Sequence, residues 1–355
     1  MKNRFTLILF VLLAALLLSS CVGGSAARGG TSWPGLAADA DNVYIADGTY
    51  VYAVALANGK QLWKFPEKSS GSFFAAPVLT EDGQLLVGSE GNDHVLYSID
   101  PKTGKEKWTS PFKDARDRWV ASPFVFNNII YAPNADGNLY LLSMDGKLIE
   151  AVELGGALWS APVTDGKYIY VTSLDHNFHA VDIASRKVMY TVDLGGAIPS
   201  GSAVATNGVY VGSFSKKVEF VSNGNHRALA ETPNWIWSAP VFDNGILYYA
   251  DLDGNLYSFD TAGEKQNWSV KLDGAVVASP LVIGDQIIAA TEAGTVVSLD
   301  KKDGKTVWTN LVGGKIYSNI VSSGELIIVS PVSANFYVAA LDLNGKMIWT
   351  YTPEK

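Results

Sequence analysis

The sequence predicts an all-β fold, an eight-bladed β-propeller of four-stranded antiparallel blades. Two recurring phrases and their spacing predict it. A phrase of small residues and proline returns as Phe74-Ala-Ala-Pro77, Val120-Ala-Ser-Pro123, Trp159-Ser-Ala-Pro162, Trp237-Ser-Ala-Pro240 and Val277-Ala-Ser-Pro280. Degenerate copies stand at Trp33-Pro-Gly-Leu36, Ser200-Gly-Ser-Ala203 and Tyr317-Ser-Asn-Ile320. A second phrase, Gly-Lys-x-x-Trp, closes units at Trp63, Trp108, Trp308 and Trp349, with Trp268 closing a shifted version. Glu150, Tyr190 and Ala228 hold the closing place in the weaker units, and from Trp63 the steps are 45, 42, 40, 38, 40, 40 and 41 residues. Self-similarity at about forty residues, with four short apolar runs per unit and no helical period, is the sequence form of a propeller.

Before the repeats stands a different kind of segment. Lys2 and Arg4 form a basic start, Phe5 to Leu17 is almost unbroken apolar sequence, and Leu18-Ser19-Ser20-Cys21 ends it. Residues 1–20 read as a secretory signal, because the apolar run is too short for a good membrane span. Its end resembles the bacterial lipobox, which implies that Cys21 carries lipid and tethers the protein to a membrane. Residues 21–31, rich in Gly, Ala and Ser, read as a flexible tether, and 32–355 as the propeller. Val22 after the cysteine, where an inner-membrane lipoprotein of enteric bacteria carries Asp, favours the outer membrane in a two-membrane host.

Within each unit the residue types fit their places. Inner strands crowd around one axis, so Ala, Ser and Gly open them, and proline is tolerated because an inner strand is a sheet edge. Asp47-Gly48, Asp136-Gly137-Asn138 and Asp253-Gly254-Asn255 are hairpin turns between second and third strands. The Gly-Lys turn leads to the outer strand, whose aromatic residue is placed to pack on the next blade. Trp63, Trp108, Tyr190, Trp268, Trp308 and Trp349 are therefore expected to be blade-docking residues.

Net charge is −8, from 27 basic and 35 acidic residues, and no basic stripe offsets it, so nucleic acid is not an expected partner. Cys21 is the only cysteine, so a lipid there leaves neither thiol nor disulfide, and a chain of this length builds its core without one. His176-x-x-His179 is the only close histidine pair and has no third ligand near it, so turn and strand roles are the expectation. Asp39-Ala-Asp41-Asn42 and Asn134-Ala-Asp136-Gly-Asn138 lack the terminal Glu of an EF-hand loop. P-loop, dinucleotide and Gly-x-Ser-x-Gly fingerprints are missing from the sequence. No catalytic residue, metal or cofactor is expected.

The closing phrase, in Ser98-Ile-Asp100-Pro-Lys-Thr103-Gly104-Lys105-Glu-Lys-Trp108 and Ser298-Leu-Asp300-Lys-Lys-Asp-Gly304-Lys305-Thr-Val-Trp308, resembles the tryptophan-docking motif of quinoprotein-type, PQQ-like-repeat propellers. That motif is a packing device and implies the fold, not a chemistry. One branch of that superfamily, the quinone-dependent dehydrogenases, usually carries adjacent cysteines and large insertions that this chain lacks. The lipoprotein propellers of the outer-membrane β-barrel assembly machinery are similar in anchor, size and blade count. Their resemblance implies a non-enzymatic, monomeric ring outside the cytoplasm that binds an envelope protein. A quinone-dependent or carbohydrate-binding propeller stays open as the alternative. Two loops are long, and one of them supplies Arg116, Arg118 and Trp119. With Trp235 at the opening of the sixth unit, these are the expected partner-binding residues, being types favoured at interface hot spots. Trp119 has a second reading, as a side chain packed at a blade start.

Overall fold

The computed structural model describes residues 33–69, 71–91 and 93–354; the signal, Cys21 and the tether lie outside them. Eight antiparallel meanders run in chain order. In the first, β1 (Gly35–Ala38), β2 (Asn42–Asp47), β3 (Tyr50–Ala55) and β4 (Gln61–Phe65) pair in sequence. Blades 3 to 8 repeat this over Phe124–Glu153, Val163–Asp193, Ala203–Glu231, Val241–Lys271, Leu281–Leu311 and Val321–Tyr351. The architecture is the eight-bladed propeller that the repeat predicts.

Blade 2 departs in one strand. Its sheet has three strands (Val78–Leu79, Leu85–Gly88 and Leu96–Ile99), and its outer segment touches the third strand only at the bridges Ile99–Glu106 and Leu96–Phe112. Between those bridges lies Pro111, which has no N–H to give a ladder. The chain bulges outward there.

The buried core is divided into clusters that each join two neighbouring blades. Tyr44, Ala46 and Val51 of blade 1 pack with Leu85, Val87 and Ile99 of blade 2. Leu36, Val43 and Ile45 of blade 1 pack with Ile328, Val338 and Trp349 of blade 8. Middle strands are consequently buried on both faces, whereas outer strands alternate or face solvent.

Aromatic docking at the outer rim follows one geometric rule. The indole of one blade lies over the β3–β4 turn of the next and donates to a carbonyl there. Trp63 Nε1 reaches Pro101 O at 2.9 Å, Trp108 reaches Met144 O at 2.9 Å, Trp268 reaches Lys301 O at 3.2 Å and Trp308 reaches Leu343 O at 2.8 Å. Trp349 closes the ring on Leu56 O at 2.8 Å. The turn residue under each ring is glycine with φ near +70 to +80°, and a β-carbon on it would stand 2.4–2.8 Å from the indole. Glycine is needed there twice over, for the left-handed backbone and for the space. Tyr190 lies over Gly224 in the same way, less tightly, at 3.4 Å.

The two junctions without an aromatic residue also lack the glycine. From blade 3 to blade 4, Glu150 faces Arg186, which holds the turn at φ 58°, with Nη1–Oε2 at 3.9 Å. From blade 5 to blade 6, Arg227 beside Ala228 meets Glu264, which holds the turn at φ 47°, at 2.6 Å. Removing the ring frees the space above the turn, so a side chain can occupy it, and a surface ion pair spans the seam.

These junctions should differ in strength. Trp268→Ala removes a nearly buried indole and is expected to cost about 3–5 kcal/mol. Arg227→Ala removes one member of a half-exposed ion pair and should cost less than about 1 kcal/mol. Denaturant unfolding measures both, and equal losses would contradict the rule.

Candidate protein-binding face

An antiparallel meander fixes which loops share a face. Links from an outer strand to the next inner strand lie on the same side of the ring as the β2–β3 hairpins. The β1–β2 and β3–β4 turns lie on the other. One hydrogen bond repeats around this connector face, from a hairpin N–H to a carbonyl of the link that precedes it. It joins Glu90 to Ser72 O, Ala135 to Arg118 O, Leu174 to Ala157 O, Phe214 to Ala197 O, Leu252 to Trp235 O, Glu292 to Ala275 O and Val332 to Lys315 O, at 2.6–3.3 Å.

That bond sets a register for the side chains. The accepting residue points outward in the two cases the sequence singled out, Arg118 and Trp235, both exposed. The residue after it points into the junction and is buried at all seven places: Phe73, Trp119, Leu158, Ile198, Ile236, Val276 and Ile316. At six of the seven places the next residue opens the small-residue phrase; after Ile198, Pro199 comes before it.

Trp119 therefore has to be removed from the partner-binding set. It is 1 % exposed, and its Nε1 donates to His94 O at 2.8 Å. Phe112 and Tyr140 pack at 6.2 and 5.9 Å from its ring, and a β-carbon on Gly88 would come within 2.2 Å of it. It fills the place where the other blades put an aliphatic chain or Phe73. The aligned phrases already carried this signal, because Val120, not Trp119, matches Trp159.

The remaining three residues lie on the connector face in two groups. Arg118 pairs with Glu90 at 3.2 Å and its guanidinium stands 5.8 Å from the Trp159 ring. Burial pushes the Glu90 carboxyl above its ordinary range, against the opposing pull of Arg118. Arg116 is exposed two residues earlier, and its backbone N–H donates to Asp136 Oδ2 at 2.9 Å. Trp235, 46 % exposed, stacks on Phe214 at 4.7 Å and 14°. Phe214 meets Trp237 at 5.3 Å, Trp237 meets Trp33 at 5.2 Å, and Trp33 meets Tyr317 at 5.5 Å. Five aromatic rings thus run without a break from the sixth blade opening to the axis. Sequence reading missed Phe214, whose hairpin carries no phrase residue, and saw Trp33 and Tyr317 only as blade openings.

Two other features complete the survey. A groove of about 520 Å³ lies where the outer segment of blade 2 bulges beside blade 3, and Lys107, Lys113, Lys147, Asp114 and Asp145 line it with mixed charge. His176 sits in a turn at φ 77°, while His179 is buried in the third strand of blade 4 with Nδ1 3.0 Å from Thr191 Oγ1. Burial lowers the His179 pKa and so favours the neutral ring. Among the described residues no three His, Cys, Asp or Glu side chains gather as a metal site.

With this geometry established, the comparisons place the chain among known proteins. A family model described as outer membrane protein assembly factor BamB matches residues 23–229 and again 222–354. A protein of that name from Nitrosomonas eutropha is 32 % identical over 35 % of this chain and 29 % of its own length. Another from Burkholderia pseudomallei is 21 % identical over 82 % of this chain and 68 % of its own. The crystal structure of BamB from Moraxella catarrhalis superposes with a TM-score of 0.70 at 14 % identity, covering 86 % of this chain and 94 % of that one.

Trp119 and Trp235 give a direct contrast. Trp119→Ala empties a core position and should cost about 3–5 kcal/mol. Trp235→Ala leaves a solvent-facing stack and should cost less than about 1.5 kcal/mol, the scale of one aromatic pair. Thermal and denaturant unfolding of both variants checks this, and a Trp235 loss matching that of Trp119 would contradict the assignment.

Proposed function

The chain belongs to the outer membrane protein assembly factor BamB family, and on that premise we propose that it is a non-enzymatic, lipid-anchored scaffold outside the cytoplasm that binds an envelope protein through its connector face. One observation carries this reading: the unbroken aromatic strip from exposed Trp235 to the axial Tyr317, on the same face as Arg118. Interface cores favour Trp, Tyr, Phe and Arg, because large rigid side chains bury much area at little conformational cost. An aromatic strip left partly open to water on a rigid ring has that composition. Assembly of outer-membrane proteins is the process named for its relatives, and we assign this chain to it as a binding scaffold.

The reading includes the membrane anchor. Lys2, Arg4, the apolar run and Leu18-Ser19-Ser20-Cys21 support export and lipidation at Cys21, and Val22 supports an outer-membrane destination in a two-membrane host. Several acyl chains on one residue hold a protein firmly, where a single chain holds it weakly. The ring itself then acts as a monomer beside the membrane.

Two experiments test this. A photo-crosslinking amino acid placed at Arg118 or Trp235 in cells should trap an envelope protein, while the same probe at exposed Asn244, on the opposite face, should not. Equal capture from both faces, or none from the connector face, would overturn it. Separately, the protein should incorporate labelled palmitate in cells and Cys21→Ala should abolish the label; an unlabelled native protein, or a variant that stays labelled, contradicts lipidation at Cys21.

A further inference from the structure

Five of the eight blade-opening phrases begin with an aromatic residue, Trp33, Phe74, Trp159, Trp237 and Tyr317, and three of these, Trp33, Trp237 and Tyr317, meet one another at an axial mouth of the connector face. Among the aromatic contacts of the described residues, Trp33 alone reaches a blade that is not its neighbour. Blades 7 and 8 separate blade 1 from blade 6. Even so, its ring meets Trp237 of blade 6 edge-on at 5.2 Å and 72°, and Tyr317 of blade 8 at 5.5 Å and 33°. A contact of that reach is possible only over the axis. Behind it, Pro34 restricts the backbone, and Gly35 packs so closely on the second blade that a β-carbon would stand 2.5 Å from Ala76 Cα.

The seat under the indole is oriented and locally neutral. Trp237 is backed by Phe214 at 5.3 Å. The Tyr317 hydroxyl donates to Glu292 Oε1 at 2.9 Å, and Lys315 Nζ meets the same oxygen at 2.5 Å. Charge and hydroxyl are thereby engaged with one another, and ring faces remain as the means of recognition. Trp33 itself keeps 38 % of its surface in solvent, so it rests on the seat without being locked into it.

From this arrangement we propose that the axial mouth is a receptor for an aromatic side chain, that Trp33 is its resident occupant, and that a partner polypeptide presenting Trp or Phe displaces it. The proposal rests on the protein-binding reading and adds the chemistry of what is bound. An indole carried on a backbone is what the seat already holds, so a polypeptide supplies the matching ligand. A sugar fits less well, because it needs hydroxyl partners that Glu292, Lys315 and Tyr317 have spent on each other. While the plug is seated, the site is available only in the fraction of molecules that have released it, and apparent affinity falls by that fraction.

The test uses the full chain and N-acetyl-tryptophanamide as the probe, followed by calorimetry. W33A should bind it about tenfold more tightly than the unsubstituted protein, the gain expected if the plug occupies the seat nine-tenths of the time. W33A/W237A should lose the gain, and N-acetyl-leucinamide should bind weakly to all three. No binding to W33A, equal binding of the leucine probe, or preference for a chitotriose probe would each overturn the proposal. If W33A fails to fold, the unsubstituted chain labelled with 5-fluorotryptophan replaces it. Its Trp33 fluorine resonance should move as the probe is added, and an unmoved resonance overturns the proposal. Crosslinking from positions 118 and 235 that persists while the indole probe fails would remove this proposal alone; loss of both would remove the protein-binding reading beneath it.

Discussion

Closure of the ring, and five of its eight blade junctions, depend on the packing of an outer-strand tryptophan over a glycine turn in the following blade. The first and last blades are each built from one continuous segment, Gly35–Phe65 and Val321–Tyr351, so among the described residues no strand is shared across the closure. Side chains alone hold the ends together. Trp349 docks over Gly59 and bonds to Leu56 O, Tyr351 donates to Gln61 Oε1 at 2.6 Å, and Ser323 donates to Asp39 O at 2.6 Å. Burying such an indole contributes about 2–3 kcal/mol, an appreciable part of a folded domain's net stability. Closure and blade–blade packing are the same interaction, repeated.

The ring is uneven for the same reason. Where Glu150 and Ala228 replace the aromatic residue, the turn glycine gives way to Arg186 and Glu264, and an exposed ion pair spans the seam. Such pairs are screened by salt and contribute little. Tyr190 docks blade 4 on blade 5, and this pair is held to blades 3 and 6 by buried clusters more than by docking at the rim.

Much of this was legible in the sequence because the repeat encodes it. Blade number, inner-strand residues and docking aromatics follow from two phrases and their spacing. Two things were not legible and a third, Trp119, had two readings, because each depends on a neighbour distant in sequence. Trp119 looks like a contact residue beside Arg116 and Arg118, yet the repeating link-to-hairpin bond turns it into the core between blades 2 and 3. The outer strand of blade 2 has its closing phrase intact, and Pro111, three residues past Trp108, breaks its ladder. Phe214 lies in an ordinary hairpin and becomes part of the aromatic strip only because its blade places it against Trp235. On the candidate site, the sequence named Arg118 and Trp235, which the structure leaves exposed, but not the rings that join Trp235 to the axis.

The same rigidity that closes the ring explains how one face can be specialised. Docking at the rim and junction clusters fix the blades, so the links and hairpins of the connector face hold Arg118 and Trp235 in set positions. The most direct measurement of that claim is hydroxyl-radical footprinting of the protein in intact envelopes against the purified protein. Protection of Trp235 and Arg118, with Met189 on an outer strand left reactive, is the result this account predicts. Protection confined to the β1–β2 turns or the outer strands, with Trp235 as reactive as in the purified ring, would contradict it.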